Sequence, residues 1–213
     1  MDPQNNKYTQ NDCTSGILHI GVGNFHRAHQ AFYTHLLLAN ESARNWAICG
    51  VGMLESDEVL FDKLRAQHLD YTLTICGRNG VNETVTISSI KELLLAFKQP
   101  ELVLNRMADA AIKIITLTIT EGGYNLDKST NKFILDDPQI VHDIENPSEP
   151  KTVFGFVAEG LRQRRANGAG GITILSCDNL QHNGTTAKAA FMAFFEAQDK
   201  DLSTWAAANL TFP

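Results

Sequence analysis

The chain has 213 residues, 43% apolar and 20% charged, which is enough to bury a sizeable core and lies outside disordered compositions. Lysine and arginine total 18 against 24 aspartates and glutamates, a net charge of -6 that argues against nucleic acid as a partner. Cys13, Cys49, Cys76 and Cys177 form neither a metal-ligand spacing nor a redox pair and suit a reducing compartment. No apolar stretch approaches the length of a membrane span, and the first 16 residues are polar where a secretory signal needs its hydrophobic segment. The expected location is the cytoplasm.

After a polar leader over residues 1–16, GILHIGVG predicts a buried strand ending in glycines, and NFHRAHQAFYTHLLLAN predicts a helix ending near Asn40. A second strand, WAICGVG (46–52), precedes a helix over ESDEVLFDKLRAQ, with Glu55 to Asp57 as a capping-type start. DYTLTIC (70–76) and NETVTISSI (82–90) alternate and are joined through Gly77, Arg78, Asn79 and Gly80, which predicts a hairpin. Helix is expected from about Ile90 to Met107, interrupted near Pro100, then a strand over AIKIITLTIT (111–120). Residues 125–150, rich in Asp, Asn, Ser and Pro, read as a surface excursion without a core of its own. A helix over 151–168, a strand over 171–177, a helix over 185–197 and a last short helical piece complete the chain. The alternation predicts one α/β domain over residues 17–213, a doubly wound, mostly parallel sheet with an added β ribbon.

Candidate chemistry gathers at the predicted carboxyl ends of strands, where open parallel sheets bind ligands. Gly21-Val22-Gly23-Asn24-Phe25-His26 is part of a dinucleotide fingerprint, with His26 in place of the third glycine; a plain tight turn explains the same glycines. Glu55 and Asp57 follow the second strand, where a carboxylate accepts from an adenosine ribose, though helix capping accounts for either acid. No lysine or arginine lies between Cys49 and Asp62 to receive a 2'-phosphate. Arg27 and His29 are open to a ligand, a phosphate or a second domain, and His26 reads as a turn residue. Glu121 and Tyr124 flank two glycines after the 111–120 strand, with turn capping as the alternative for Glu121. After the 171–177 strand, Asn179 carries an amide able to donate to a carbonyl or alkoxide oxygen, Asp178 orients a neighbour or caps a helix, and Cys177 reads as a small buried hydrophobe. The seven histidines form no ligand cluster, so no metal is expected.

Taken together, LHIGVGNFHRAHQAFY, WAICGVG, LTITEGGYN, TVFGFVAEGLRQRR and ILSCDNLQHNG resemble the polyol-specific long-chain dehydrogenases, the mannitol dehydrogenase family, over residues 17–213. The resemblance implies a Rossmann-like NAD-binding domain and hydride transfer between NAD(H) and a polyol/ketose pair, D-mannitol and D-fructose first, with sugar-acid reductases and arabinitol dehydrogenases as alternatives. It places Gly21, Val22, Gly23, Asn24 and Phe25 at the cofactor turn, Asp57 at the acid of NAD preference, Asn179 at the reacting oxygen and Glu121 near the substrate and proton path. It also implies a general acid–base lysine in a helical substrate domain beyond Pro213, a role Lys188 does not fill, and a monomeric parent with small-molecule partners only. A chain without that domain is expected to bind NAD without independent turnover, or to be a truncated product.

Overall fold

The computed structural model of the chain describes residues 8–127 and 129–213; residues 1–7, the first part of the expected polar leader, lie outside the described residues. The rest of that leader packs onto the body. Tyr8 and Cys13 are buried with Leu38 and Ala47, and the Tyr8 hydroxyl lies 2.8 Å from His35 Nδ1.

The elements are β1 (Ser15–Ile20), α1 (Asn24–Ala28), α2 (Gln30–Leu38), β2 (Ala47–Gly52), α3 (Asp57–Ala66), β3 (Tyr71–Cys76), β4 (Asn82–Ile87) and β5 (Ile90–Leu95). They continue as α4 (Pro100–Ala108), β6 (Ile114–Leu117), α5 (Pro138–Glu145), α6 (Val153–Ala166), β7 (Ile172–Ser176), α7 (Asn183–Gln198), α8 (Lys200–Asn209) and β8 (Leu210–Thr211). Six strands form one sheet in the order β5-β2-β1-β6-β7-β8, every neighbouring pair parallel. The β3–β4 hairpin stands apart as the expected antiparallel ribbon. The chain winds outward from β1 to β5, then crosses back to β6 and winds the other way, so β1 and β6 flank the point where the direction reverses.

Residues 17 to 20 show how the strands divide the core. Leu18 and Ile20 join a cluster with residues of α4, α6 and α7, whereas Ile17 joins one with α3 and the ribbon. His19 therefore shares the Ile17 face, opposite Thr116 in the β1–β6 register.

Three expectations change. Ile90–Leu95 is a strand, not helix: Ile90, Leu93 and Leu94 satisfy a helical spacing, but the segment pairs in parallel with β2 and buries four of its six side chains. The single helix expected over 24–40 breaks at His29, whose φ of -119° and ψ of -81° separate α1 from α2. The 125–150 excursion contains α5, capped by Asp137 with Pro138 in its first turn, and it contributes Ile140 to the core.

Two buried charged groups tie the α5–α6 layer to the rest. Arg164 donates to the carbonyls of Asp109 (2.7 Å) and Gly170 (2.9 Å), joining α6 to the segments that enter β6 and β7. Asp143, fully buried on α5, accepts from Lys151 N (2.8 Å), Thr152 N (2.8 Å) and Thr152 Oγ1 (2.7 Å), which sets the entry into α6. Asp143→Ala strands those donors and should cost about 3 kcal/mol or more, seen as a lower urea midpoint at unchanged slope. A loss under about 1 kcal/mol contradicts this role for Asp143.

Candidate functional site

The loop from Gly21 to α1 closes over the β1–β6 junction. Gly21 N donates to Val51 O (3.0 Å) and Gly23 N to Gly21 O (2.7 Å), which folds the chain sharply before α1. Gly21 has a φ of +96°, and a Cβ there would lie 2.2 Å from the Thr118 carbonyl oxygen, so the turn requires glycine twice over. Gly23 differs. Its backbone is extended (φ -85°, ψ -173°), and a Cβ would find only Gly21 O, at 4.0 Å. Nothing within the fold requires a glycine at 23, while its missing side chain leaves the N-terminus of α1 open to close approach from outside.

The neighbouring side chains divide between packing and exposure. Val22 is buried in the ribbon-side cluster, so only its backbone faces the edge. Asn24 and Phe25 are exposed; Phe25 stacks on His29 with ring centroids 4.4 Å apart. Arg27 donates to Val22 O (3.0 Å) and to Asn24 Oδ1 and has no carboxylate partner among the described residues. The Tyr71 hydroxyl donates to Arg27 O (2.6 Å), which pins the ribbon to α1.

Beneath the turn lies a buried polar cluster. His19 and His26 are buried and stacked, with centroids 3.6 Å apart and planes 13° from parallel. Burial holds both imidazoles in the neutral form: His26 is lowered to about 4, and His19 lies well below the usual histidine range, the neighbouring His26 adding to the effect.

Asp57 stands at the end of β2, one strand over. A Cβ on Gly52 would meet Asp57 Cβ at 2.8 Å, so the two pack directly, and Asp57 Oδ2 accepts from Leu54 N (3.0 Å). That bond leaves Oδ1 without a hydrogen bond among the described residues, so one oxygen has its acceptor capacity unused. Glu55, the other candidate acid, is exposed. Lys98 pairs with Glu58 on the same helix start.

Across the junction, β6 leads into Thr120, a β-branched residue at φ 64° and ψ 169°. That conformation costs about 1–3 kcal/mol and persists only when its surroundings impose it. Asp178 does so by accepting from Ile119 N (3.1 Å), Thr120 N (2.9 Å) and the buried Tyr124 hydroxyl (2.7 Å). Glu121 and Asn179 each adjoin one partner of the Thr120–Asp178 bond, so both stand at this edge, and both are exposed. Glu121 lines a cleft of about 730 Å³ with Leu126, Asp127, His182, Thr185 and Thr186. Cys177 is half-buried, and burial pushes its thiol up, so it is a poor nucleophile.

The predicted residues thus fall at one edge of the sheet, in two groups on either side of the junction. The sequence reading missed His19, Thr116 and Thr118. A histidine inside an apolar strand, facing a strand that alternates threonine with isoleucine or leucine, is the signal that marked them. Among the described residues, no three His, Cys, Asp or Glu side chains gather to hold a metal, and no helix is long and apolar enough to cross a membrane.

Comparison with known proteins agrees with this geometry. The family model described as the mannitol dehydrogenase Rossmann domain matches residues 15–213. The polyol:NADP oxidoreductase of Gluconobacter oxydans (strain 621H) is 44% identical over 200 residues, covering 93% of this chain and 41% of that protein. The D-mannonate oxidoreductase of Escherichia coli (strain K12) is 42% identical over 205 residues, with the same two coverages. The solved ternary complex of Pseudomonas fluorescens mannitol 2-dehydrogenase with NAD and D-mannitol superposes with a TM-score of 0.94 at 43% identity, covering 97% of this chain and 42% of that one. The chain therefore spans about two fifths of the length of the relatives it matches. With the family model matched over residues 15–213, the chain belongs to the mannitol dehydrogenase family and carries that family's Rossmann domain.

Proposed function

We propose that this chain is the cofactor-binding part of a cytoplasmic oxidoreductase that moves hydride between NAD(H) and a polyol/ketose pair, with D-mannitol and D-fructose as the pair. The observation that carries the cofactor assignment is Gly23, a glycine that no contact inside the protein requires, placed where a dinucleotide pyrophosphate approaches the start of α1. Arg27, beside it and without a carboxylate partner, adds positive charge toward the same anion. The solved mannitol 2-dehydrogenase complex with NAD and D-mannitol, 42% of whose chain superposes on this one, supports both halves of the reading.

NAD is preferred over NADP on this proposal because the free oxygen of Asp57 accepts from a ribose hydroxyl and repels a 2'-phosphate. The Gluconobacter relative is named for NADP, so a preference for NAD is not a property of the family as a whole. When bound, the nicotinamide supplies the hydride acceptor or donor. Around it the chain contributes the Asn179 amide, which donates to the reacting oxygen, and Glu121, which passes protons at the cleft rim. Neither is an acid–base pair with the alcohol by itself. The resemblance puts that task on a lysine of a helical substrate domain, so residues 1–213 alone bind NAD(H) without turning over polyol.

Titration with NADH, followed by nicotinamide fluorescence, tests the assignment. Gly23→Val, a change at the N-cap of α1, should cost no more than about 1 kcal/mol of folding stability while weakening NADH binding by about tenfold or more, which is 1.4 kcal/mol of affinity. Unchanged NADH affinity in a folded Gly23→Val chain removes the turn from the cofactor site. Asp57→Ala should narrow the preference for NADH over NADPH by roughly tenfold; an unaltered ratio removes Asp57 from that choice.

A further inference from the structure

The shorter contacts of the cluster beneath the turn point to one set of proton positions. Thr118 Oγ1 lies 2.6 Å from the Gly21 carbonyl oxygen, and the one hydrogen available to that pair is the threonine hydroxyl's, so Thr118 donates to Gly21. His19 Nε2 faces Gly21 O at 3.0 Å and Thr118 Oγ1 at 3.1 Å, both of them now acceptors, and must carry a hydrogen. In neutral His19, Nδ1 is then bare and accepts from the Thr116 hydroxyl at 2.8 Å. Thr116 has one hydrogen, and it goes to Nδ1 in preference to Gln30 Oε1, which lies farther off at 3.3 Å; Thr116 Oγ1 then accepts from Gln30 Nε2 at 3.2 Å, and Gln30 Oε1 faces His26 Nδ1 at 3.0 Å. His26 therefore carries its hydrogen on Nδ1 and has a bare Nε2. Independently, that Nε2 is a buried nitrogen without a hydrogen-bond partner, the place where a chain of donors running one way must leave an acceptor over.

We propose that His26, Gln30, Thr116 and His19 form a one-directional hydrogen-bond relay that positions the Gly21 carbonyl, and that His26 and His19 are positioning residues for cofactor binding. The inference rests on the cofactor reading above. Gly21 O also accepts from Gly23 N, so the relay acts on the turn from below through the same oxygen that closes it. The members come from α1, α2, β1 and β6, the four elements around the junction. They couple the spacing of β1 and β6 to the orientation of the Gly21–Gly23 turn. The two stacked rings cannot both accept a proton without placing like charges 3.6 Å apart in a buried site.

Two measurements on the 213-residue chain test this. Long-range 1H–15N correlation of the imidazoles near pH 7.5, assigned with His19→Asn and His26→Asn, should show His19 as the Nε2–H tautomer and His26 as Nδ1–H, the form less favoured by free histidine. The opposite tautomer on either ring overturns the relay. For positioning, Thr116→Val removes the hydroxyl at nearly constant shape and should weaken NADH binding at least about fivefold, whereas Thr116→Ser stays within about twofold of the unsubstituted chain. Gln30→Met, at a half-buried site, breaks the same relay and carries the reading if Thr116→Val does not fold. A folded variant lacking either link that binds NADH like the unsubstituted chain overturns the positioning role. Failure of the unsubstituted chain to bind NADH defeats the cofactor reading and the positioning role with it, and the tautomers still report on the relay itself.

Discussion

The tightest constraint where β1 meets β6 is the passage of Gly21 over the Thr118 carbonyl, at a distance no side chain survives. Because Gly21 follows β1 and Thr118 follows β6, this contact joins the two strands at which the winding of the sheet reverses. Open parallel sheets leave a crevice at such a reversal, since the connections on either side lead away from it. The glycine contact fills the base of the crevice with backbone, and the mouth stays available. Gly23 adds no side chain above that contact, and Arg27 and Asp57 are charged residues on the segments that leave β1 and β2.

The two halves of the edge are held by different physics. On the β1 side, neutral buried groups fix the backbone: two histidines, two threonines and a glutamine, with no net charge to respond to a ligand. On the β6–β7 side a carboxylate does it, Asp178 accepting three hydrogen bonds to keep Thr120 in a strained conformation. A neutral support suits the cofactor role proposed for the turn, because a fixed negative charge beneath it would oppose binding of an anion. The acidic support adjoins Glu121, which lines the cleft of about 730 Å³.

Much of this fold was legible in the sequence because the deciding signals are local. Glycines after GILHI, the Gly-rich connection between two alternating segments, and apolar strands followed by amphipathic helices specify β1, the ribbon and the doubly wound order with little outside help. Ile90–Leu95 was not legible, since its run of leucines satisfies a helix as well as a buried strand and only pairing with β2 decides. α5 was hidden by composition, although Asp137 and Pro138 together are a helix start, because the polar residues around them read as loop. At the site, glycines and exposed polar residues announce themselves by type and place. His19 does not, since its meaning depends on Thr116 and Thr118, nearly a hundred residues away, and on a helix packing across both strands.

The central claim is that the β1–β6 edge, and not another cavity, receives the dinucleotide. The direct measurement is the change in backbone amide resonances on adding NAD to the chain. The account predicts shifts concentrated at Gly21 to Phe25, at Leu54 to Asp57 and around Thr120, all at the carboxyl ends of the strands. Shifts centred instead on Glu92, Asn105, Arg106 and Asn167, which line a cavity of about 370 Å³ beside the segments entering β6 and β7, would contradict it.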